Sequence, residues 1–257
     1  MLLPALNAAR EKAKSSSCLS NLKQIGLASD GYYSDYQYYL PSYPYYKMGS
    51  SDYSVTWLGD RQDGLIDVKT SILLNYIGKS WKTLICPSSP PNWQSNDDGQ
   101  VMDGTGYGYN YYGVGTQSYF GNRPSTTGAM QAGVKSVAKP SETVLFADNI
   151  NAASAAAAAA GNPVATILLY GPITVSAAGV PSRFGTSGTT SHGPNMHFRH
   201  SNDTANFTWA DGHASSEKMA FPKVLSGVNC QALKIGSIGQ IDSDRYFTPL
   251  NSTNDNL

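Results

Sequence analysis

Apolar positions in this chain follow two different rhythms, one at each end. Near the start, Cys18, Leu22, Ile25, Ser29 and Tyr32 recur in alternating steps of four and three, with Leu19 on their flank. That spacing is one face of a helix. No proline lies between Ala5 and Ala28, Gly26 is the only glycine there, and Ala5, Ala8, Ala9 and Ala13 favour helix. The pattern therefore predicts a helix over about 5–28, with Glu11 and Lys14 paired one turn apart. Its stripe exists only in the second half. From Asn7 to Ser17 the residues are mainly Ala, Ser and charged, with little to bury. The helix should be docked at one end and protrude at the other.

The last third alternates with a period of two. In "NMHFRH" Met196 and Phe198 share a face, and in "ANFTWA" Phe207 and Trp209 do. Asp211-Gly212 suits a two-residue hairpin turn, and "HASSEKMA" reads as the returning strand. Residues 195–219 are thus expected to form a three-stranded antiparallel meander whose apolar face takes the helix stripe. "KPSETVLFADN" reads as a turn and a buried strand over Thr143–Ala147, and "ATILLYGPITVS" as a further strand or strand pair. "SILLNYIG" has a short helical pattern, "WKTLICPSSPPNW" resembles a strand entering a proline-rich turn, and "GTGYGYNYYGVG" a Gly/Tyr loop or edge strand. "NAASAAAAAAGN" is low-complexity, a short helix or surface insertion. The class is α+β, a long N-terminal helix on an antiparallel sheet with long loops. Residues 1–31 are the helix and 32–257 a β-rich head, together one domain.

Composition narrows the function. Of 257 residues 14% are charged, with 18 basic against 18 acidic. A nucleic-acid binder usually carries a basic excess or stripe, so none is expected as a partner. The first 24 residues are locally basic at +3, from Arg10, Lys12, Lys14 and Lys23 against Glu11. No run of about 18 apolar residues occurs. Tyrosine outnumbers phenylalanine 17 to 7, and eight of the tyrosines lie in residues 32–47. Aromatic rings with polar tips suit a partly wet surface, either a subunit interface or a glycan-gripping loop.

Candidate chemistry is sparse. His192, His197, His200 and His213 cluster in sequence, but strand residues three apart face opposite sides, which opposes joint metal binding. No G-x-S-x-G occurs, and no cysteine neighbours a histidine in sequence, so no enzyme is expected. Cys18, Cys86 and Cys230 form no CxxC pair.

Several blocks in order are similar to type IV pilin-like proteins, in particular the prepilin-type family with a C-terminal H-X9-DG motif. They are "LLPALNAAREKAKSSSCLSNLKQIGLA", "LICPSSP", "GYGYN", "KPSETVLFADN" and "RHSNDTANFTWADGH". The motif falls on His200, Asp211 and Gly212, with ten residues between the His and the Asp instead of nine. The resemblance implies a basic leader, a cleavage site for a prepilin peptidase and about 20 apolar residues ahead of "LLPAL", anchoring a precursor in the inner membrane. Pro4 would then be a mid-helix kink.

It further implies a structural subunit of a type IV pilus-like or type II secretion-like (pseudopilin) filament, periplasmic or extracellular, whose partners are copies of itself or related subunits. Leu3, Leu6, Leu19, Leu22 and Ile25 belong to the assembly helix. Related pseudopilins hold calcium in a C-terminal loop, where Asp242 and Asp244 offer carboxylates here. The twelve-residue calcium-loop pattern is missing, and no cofactor is expected. Cys18 begins the docked part of the helix and Cys86 ends the expected strand against it, so the two are candidates for a disulfide; the alternative is two buried thiols.

Overall fold

The computed structural model of the chain describes residues 2–41, 45–48, 51–90, 98–102, 104–110, 113–115, 135–150, 166, 168–169, 171, 173–175, 181–183, 194–223, 229–239 and 246–247. The alanine run of 151–162, His192 and the Asp242–Asp244 stretch lie outside the described residues.

Helix α1 runs Leu2–Tyr36, eight residues beyond the expected C-terminal end, with Pro4 in its first turn. Gln37 stops it by turning left-handed, at φ 58°, while its N–H still donates to Tyr33 O at 2.8 Å. Every side chain from Leu3 to Ala13 is exposed, whereas Cys18, Leu22, Ile25 and Ala28 are sealed. The asymmetry of the sequence pattern is present in space.

Two five-stranded sheets follow. The first is an antiparallel meander of β1 (Tyr45–Met48), β2 (Ser51–Thr56), β3 (Gly59–Gln62), β4 (Leu65–Asp67) and β5 (Gln100–Met102), ordered β1-β2-β3-β4-β5. Its β3–β4 turn is Asp63-Gly64, with φ 49° and 90°, a two-residue hairpin turn built from residues that accept positive φ. The second sheet contains β6 (Tyr107–Asn110), β7 (Val144–Asp148), β8 (Leu168–Leu169), β12 (Thr204–Trp209) and β13 (Ala214–Lys218). Its order is β13-β12-β7-β6-β8, antiparallel except for β6 and β8. Smaller pairings join β9 (Ile173–Val175) to β10 (Pro181–Arg183), and place β15 (Ile235–Ser237) between β11 (Met196–His197) and β14 (Phe221–Pro222).

Four sequence expectations are corrected. Met196–His197 does not open a meander with β12; it pairs with β15, and the neighbour of β12 opposite β13 is β7. The connection after Trp209 spans Ala210–His213, longer than a two-residue turn. Cys86 ends no strand, because a 3-10 turn over Trp81–Leu84 precedes it. The "GYGYN" segment is no loop or edge, because β6 lies inside the sheet with all four residues buried.

The helix also meets the other face of β12 from the one expected. Phe207 and Trp209 point away from α1, into a cluster with Phe198, Met196 and Phe247. The helix stripe instead packs against Tyr107, Tyr109, Phe146, Leu74 and Leu84. Polar β12 residues face the helix backbone: Thr208 Oγ1 donates to Leu22 O at 2.8 Å and Asn206 Nδ2 to Ser15 O at 3.3 Å. Hydrogen bonding to helix carbonyls lets a polar strand face be buried without the usual cost.

Candidate functional site

The ladder between β7 and β12 includes the pair Phe207 and Ala147. One step further, Asp148 uses its side chain in place of its backbone: Oδ2 accepts the Asn206 N–H at 2.7 Å. The carboxylate is fully buried and draws in two cations or potential cations. Arg199 Nη2 sits 2.6 Å from Oδ1, and His200 Nε2 sits 2.8 Å from Oδ2. Arg199 goes on to donate to the carbonyls of Gly106 and, at 3.2 Å, Asn149.

Electrostatics fixes the charge states. Burial pushes the Asp148 carboxyl up, but Arg199, His200 and the Asn206 amide outweigh it and hold it below the usual carboxylate range. His197 is driven down to about 3, first by burial and then by the Arg199 charge. It is therefore neutral, and its Nδ1 lies 3.3 Å from Arg199 Nη1 as an acceptor.

Local backbone explains why these groups converge. His200 N donates to Thr204 O at 3.0 Å, closing a turn in which Asn202 and Asp203 take φ of 61° and 54°. Asn and Asp tolerate that region, so the longer spacing of the motif is absorbed in the turn and His200 stays locked to β12. Gly106, at φ 89°, is needed for a second reason: a Cβ there would run into Ser89 Oγ and the Arg199 guanidinium. The blocks "GYGYN", "LFADN" and "RHSNDT" thus deliver Gly106, Asp148 and Arg199–His200 to one point.

A disulfide abuts the same point. Cys18 on α1 and Cys86 are bridged, with Cα atoms 5.3 Å apart. Their sulfurs and a ring nitrogen of His200 lie within 4.8 Å of one another. A bridged sulfur is no thiolate ligand, so the trio does not fit a metal ion in this state. Tyr107 OH donates to Cys18 O at 3.3 Å and Asn21 Nδ2 to Ile85 O at 3.2 Å, bracketing the bridge. Cys230 stands apart as a buried free thiol.

Asp211 and Gly212 do not join His200. They lie at the far end of β12, about 17 Å along the strand from Thr204 at the ordinary rise per residue. Asp211 Oδ1 accepts from His213 N at 3.0 Å and meets His213 Nδ1 at 2.6 Å, while the His213 ring stacks on Trp209. Gly212, at φ 77°, offers its carbonyl to Lys23 Nζ at 2.6 Å. A Cβ on Gly212 would collide with Asp30 of α1. The two ends of the motif therefore sit at separate places, His200 beside the Cys18–Cys86 bridge and Gly212 against Lys23 and Asp30 of α1.

The remaining helix candidates divide. Leu22 and Ile25 are wholly buried on the head and Leu19 is half-buried, so these three are used within the chain's own fold. Leu3 and Leu6 are 74% and 57% exposed, and Leu27, which the sequence pattern did not single out, is 53% exposed. The tyrosines of residues 32–47 divide: Tyr32 and Tyr39 are buried and Tyr33 and Tyr38 half-buried, and outside that stretch Tyr107 and Tyr109 are buried as well. Tyr36 is exposed, while Tyr43 and the side chains of Tyr45 and Tyr46 lie outside the described residues. Among the described residues, no helix is long and apolar enough to cross a membrane.

Among known families, the model of one described as a protein of unknown function (DUF1559) matches residues 7–81, a stretch from the exposed part of α1 through β4 to the 3-10 turn before Cys86. No curated protein and no solved structure matches the chain.

Proposed function

We propose that the chain is a structural subunit of a type IV pilus-like or pseudopilin filament, assembled by packing the exposed part of α1 against α1 of neighbouring copies. In this reading the precursor is held in the inner membrane, processed by a prepilin peptidase, and delivered to a periplasmic or extracellular filament. The observation that carries it is the division of α1. Residues from Cys18 onward are clamped to the head by a disulfide, polar contacts and an apolar stripe, while Leu3 to Ala13 are exposed. A helix gains most of its stability from tertiary packing, so an exposed stretch this long calls for another surface. The resemblance of the ordered sequence blocks supports a helix from a second copy as that surface. The alternative is a glycan-binding surface module built on the tyrosines of residues 32–47, of which Tyr32 and Tyr39 serve the core while Tyr33, Tyr36 and Tyr38 keep part of their surface open.

The test is immunogold labelling of cells that produce the protein, with the sheared surface fraction examined alongside. Labelled filaments in that fraction are expected. Label confined to the envelope, with no filament in the sheared fraction, contradicts the reading.

A further inference from the structure

A disulfide needs no imidazole beside it in order to hold two segments together, yet the Cys18–Cys86 bridge has one. The two sulfurs and a ring nitrogen of His200 lie within 4.8 Å, and all three residues are buried. His200 Nε2 lies 2.8 Å from Asp148 Oδ2 without an aligned hydrogen bond, and Asp148 is held by Arg199 and by the Asn206 N–H. A carboxylate, an imidazole and a sulfur pair gathered within a few ångströms supply the groups needed to move a thiol proton. Among the described residues, the charged and titratable groups around this ring are Asp148 on β7, Tyr107 on β6, Arg199 and His197 on its own segment, Cys18 on α1 and Cys86.

We propose that His200, beside Asp148, takes and returns the proton in closing the Cys18–Cys86 bridge, and so selects this pairing. The oxidant is an external disulfide, R–S–S–R. One cysteine thiolate attacks it, forming a protein–S–S–R mixed disulfide and releasing RS⁻, which leaves as RSH with the proton given up by that cysteine. The second cysteine passes its proton to His200. Its thiolate then attacks the protein sulfur of the mixed disulfide, and the second RS⁻ departs with the proton from His200. Two protein thiols are oxidised by two electrons, one external disulfide is reduced to two thiols, and His200 is returned unchanged.

This step is tied to folding. The imidazole reaches the sulfurs only when β7, β12 and α1 have met, because Asp148 on β7 lies beside it and Cys18 arrives on the helix. Three cysteines allow three pairings, and the dyad sits at only one of them, away from Cys230. Once closed, the bridge is sealed from external thiols, so it is kept. The proposal stands whether or not the chain forms filaments.

The full chain, unfolded in urea and reduced by a phosphine, is desalted into native buffer, re-oxidised with glutathione disulfide from pH 5.5 to 9, quenched with an alkylating agent and read by mass. The wild type is expected to close at least about tenfold faster than His200→Gln near pH 7, within the span of general acid–base effects. Its rate should depend only shallowly on pH below about 8. The variant should climb about tenfold per pH unit toward the ordinary thiol range near 8.5 and give bridges that include Cys230. Equal rates and equal pairing in the two proteins would overturn the proposal. If His200→Gln does not fold, the wild-type profile decides alone, and a tenfold climb per pH unit up to the thiol range overturns it. Repeating the series with excess EDTA should change nothing. If the advantage of His200 vanishes in EDTA, the cluster belongs to a metal ion instead, and the proposal is lost.

Discussion

Arg199 and Asp148 meet at 2.6 Å with both side chains sealed from water, and through that pair the segments at Gly106, Asn149 and Asn206 are tied together. Buried pairs add little relative to an apolar substitute but are costly to break, because one charge is left behind. Arg199→Met should lower the unfolding free energy by about 3–5 kcal/mol. Asp148 also sets the acid response. Its folded pKa lies below the unfolded value of about 3.9, so its contribution is present above that value and is lost as pH falls through the folded one. Urea midpoints from pH 7 down to pH 2 should hold in the wild type to about pH 4 and then fall. In Arg199→Met that fall should shrink, since without the cation the folded pKa of Asp148 rises toward the unfolded value and less stability is left to lose on acidification.

Asp30 on the outer part of the helix behaves in the opposite sense. Burial, then the charge of Asp211, raises its carboxyl to about 6, with Lys23 opposing. A carboxyl raised on folding binds its proton more tightly in the native state, so stability is lost as pH rises from about 4 to 6. Asp30→Asn should remove that decline and leave the protein more stable than wild type above pH 6. The half-exposed setting keeps the gain small. Thermal midpoints at pH 4 and pH 7.5 check it, and an unchanged pH slope in the variant would be the contrary result.

Gly26 offers a test of how closely helix and sheet approach. In an open helix, Gly→Ala stabilises by about 1 kcal/mol. Here a Cβ at Gly26 would overlap the Thr208 methyl group, while Thr208 Oγ1 holds Leu22 O at 2.8 Å. Gly26→Ala should therefore destabilise, by about 1–3 kcal/mol as for other overpacked contacts. Thr208→Ser removes the methyl and keeps the hydroxyl, so the double variant should recover most of the loss. A double variant as weak as Gly26→Ala would show that the contact is not the cause.

What the sequence could disclose follows from how far each signal reaches. The stripe Cys18, Leu22, Ile25, Ser29, Tyr32 is legible because helical period is a local property, and all five side chains are buried. The β7 strand and the β12–β13 hairpin are legible for the same reason. Alternation in "ANFTWA" shows that Phe207 and Trp209 share a face but not which layer that face meets, and here it turns from the helix. Asp63-Gly64 makes a two-residue turn and Asp211-Gly212 a longer connection, so the dipeptide alone does not fix loop length. The centre of the site was the least visible. Asp148 lies inside an apolar strand pattern, and Arg199 is 51 residues further on. Only pairing across β7 and β12 brings them together. One signal was available: Gly106, in a block of the resemblance, marks a place where backbone and guanidinium come within contact.

In the proposed filament the exposed part of α1 packs on α1 of other copies. A photo-crosslinking residue in place of Leu6, 57% exposed and outside the clamped region, tests it directly in cells that make the protein. Irradiation is predicted to give a ladder at multiples of the subunit mass, absent when the same residue replaces Leu65 on the head. A single unshifted band at both positions, with the protein present at normal abundance, would contradict the account.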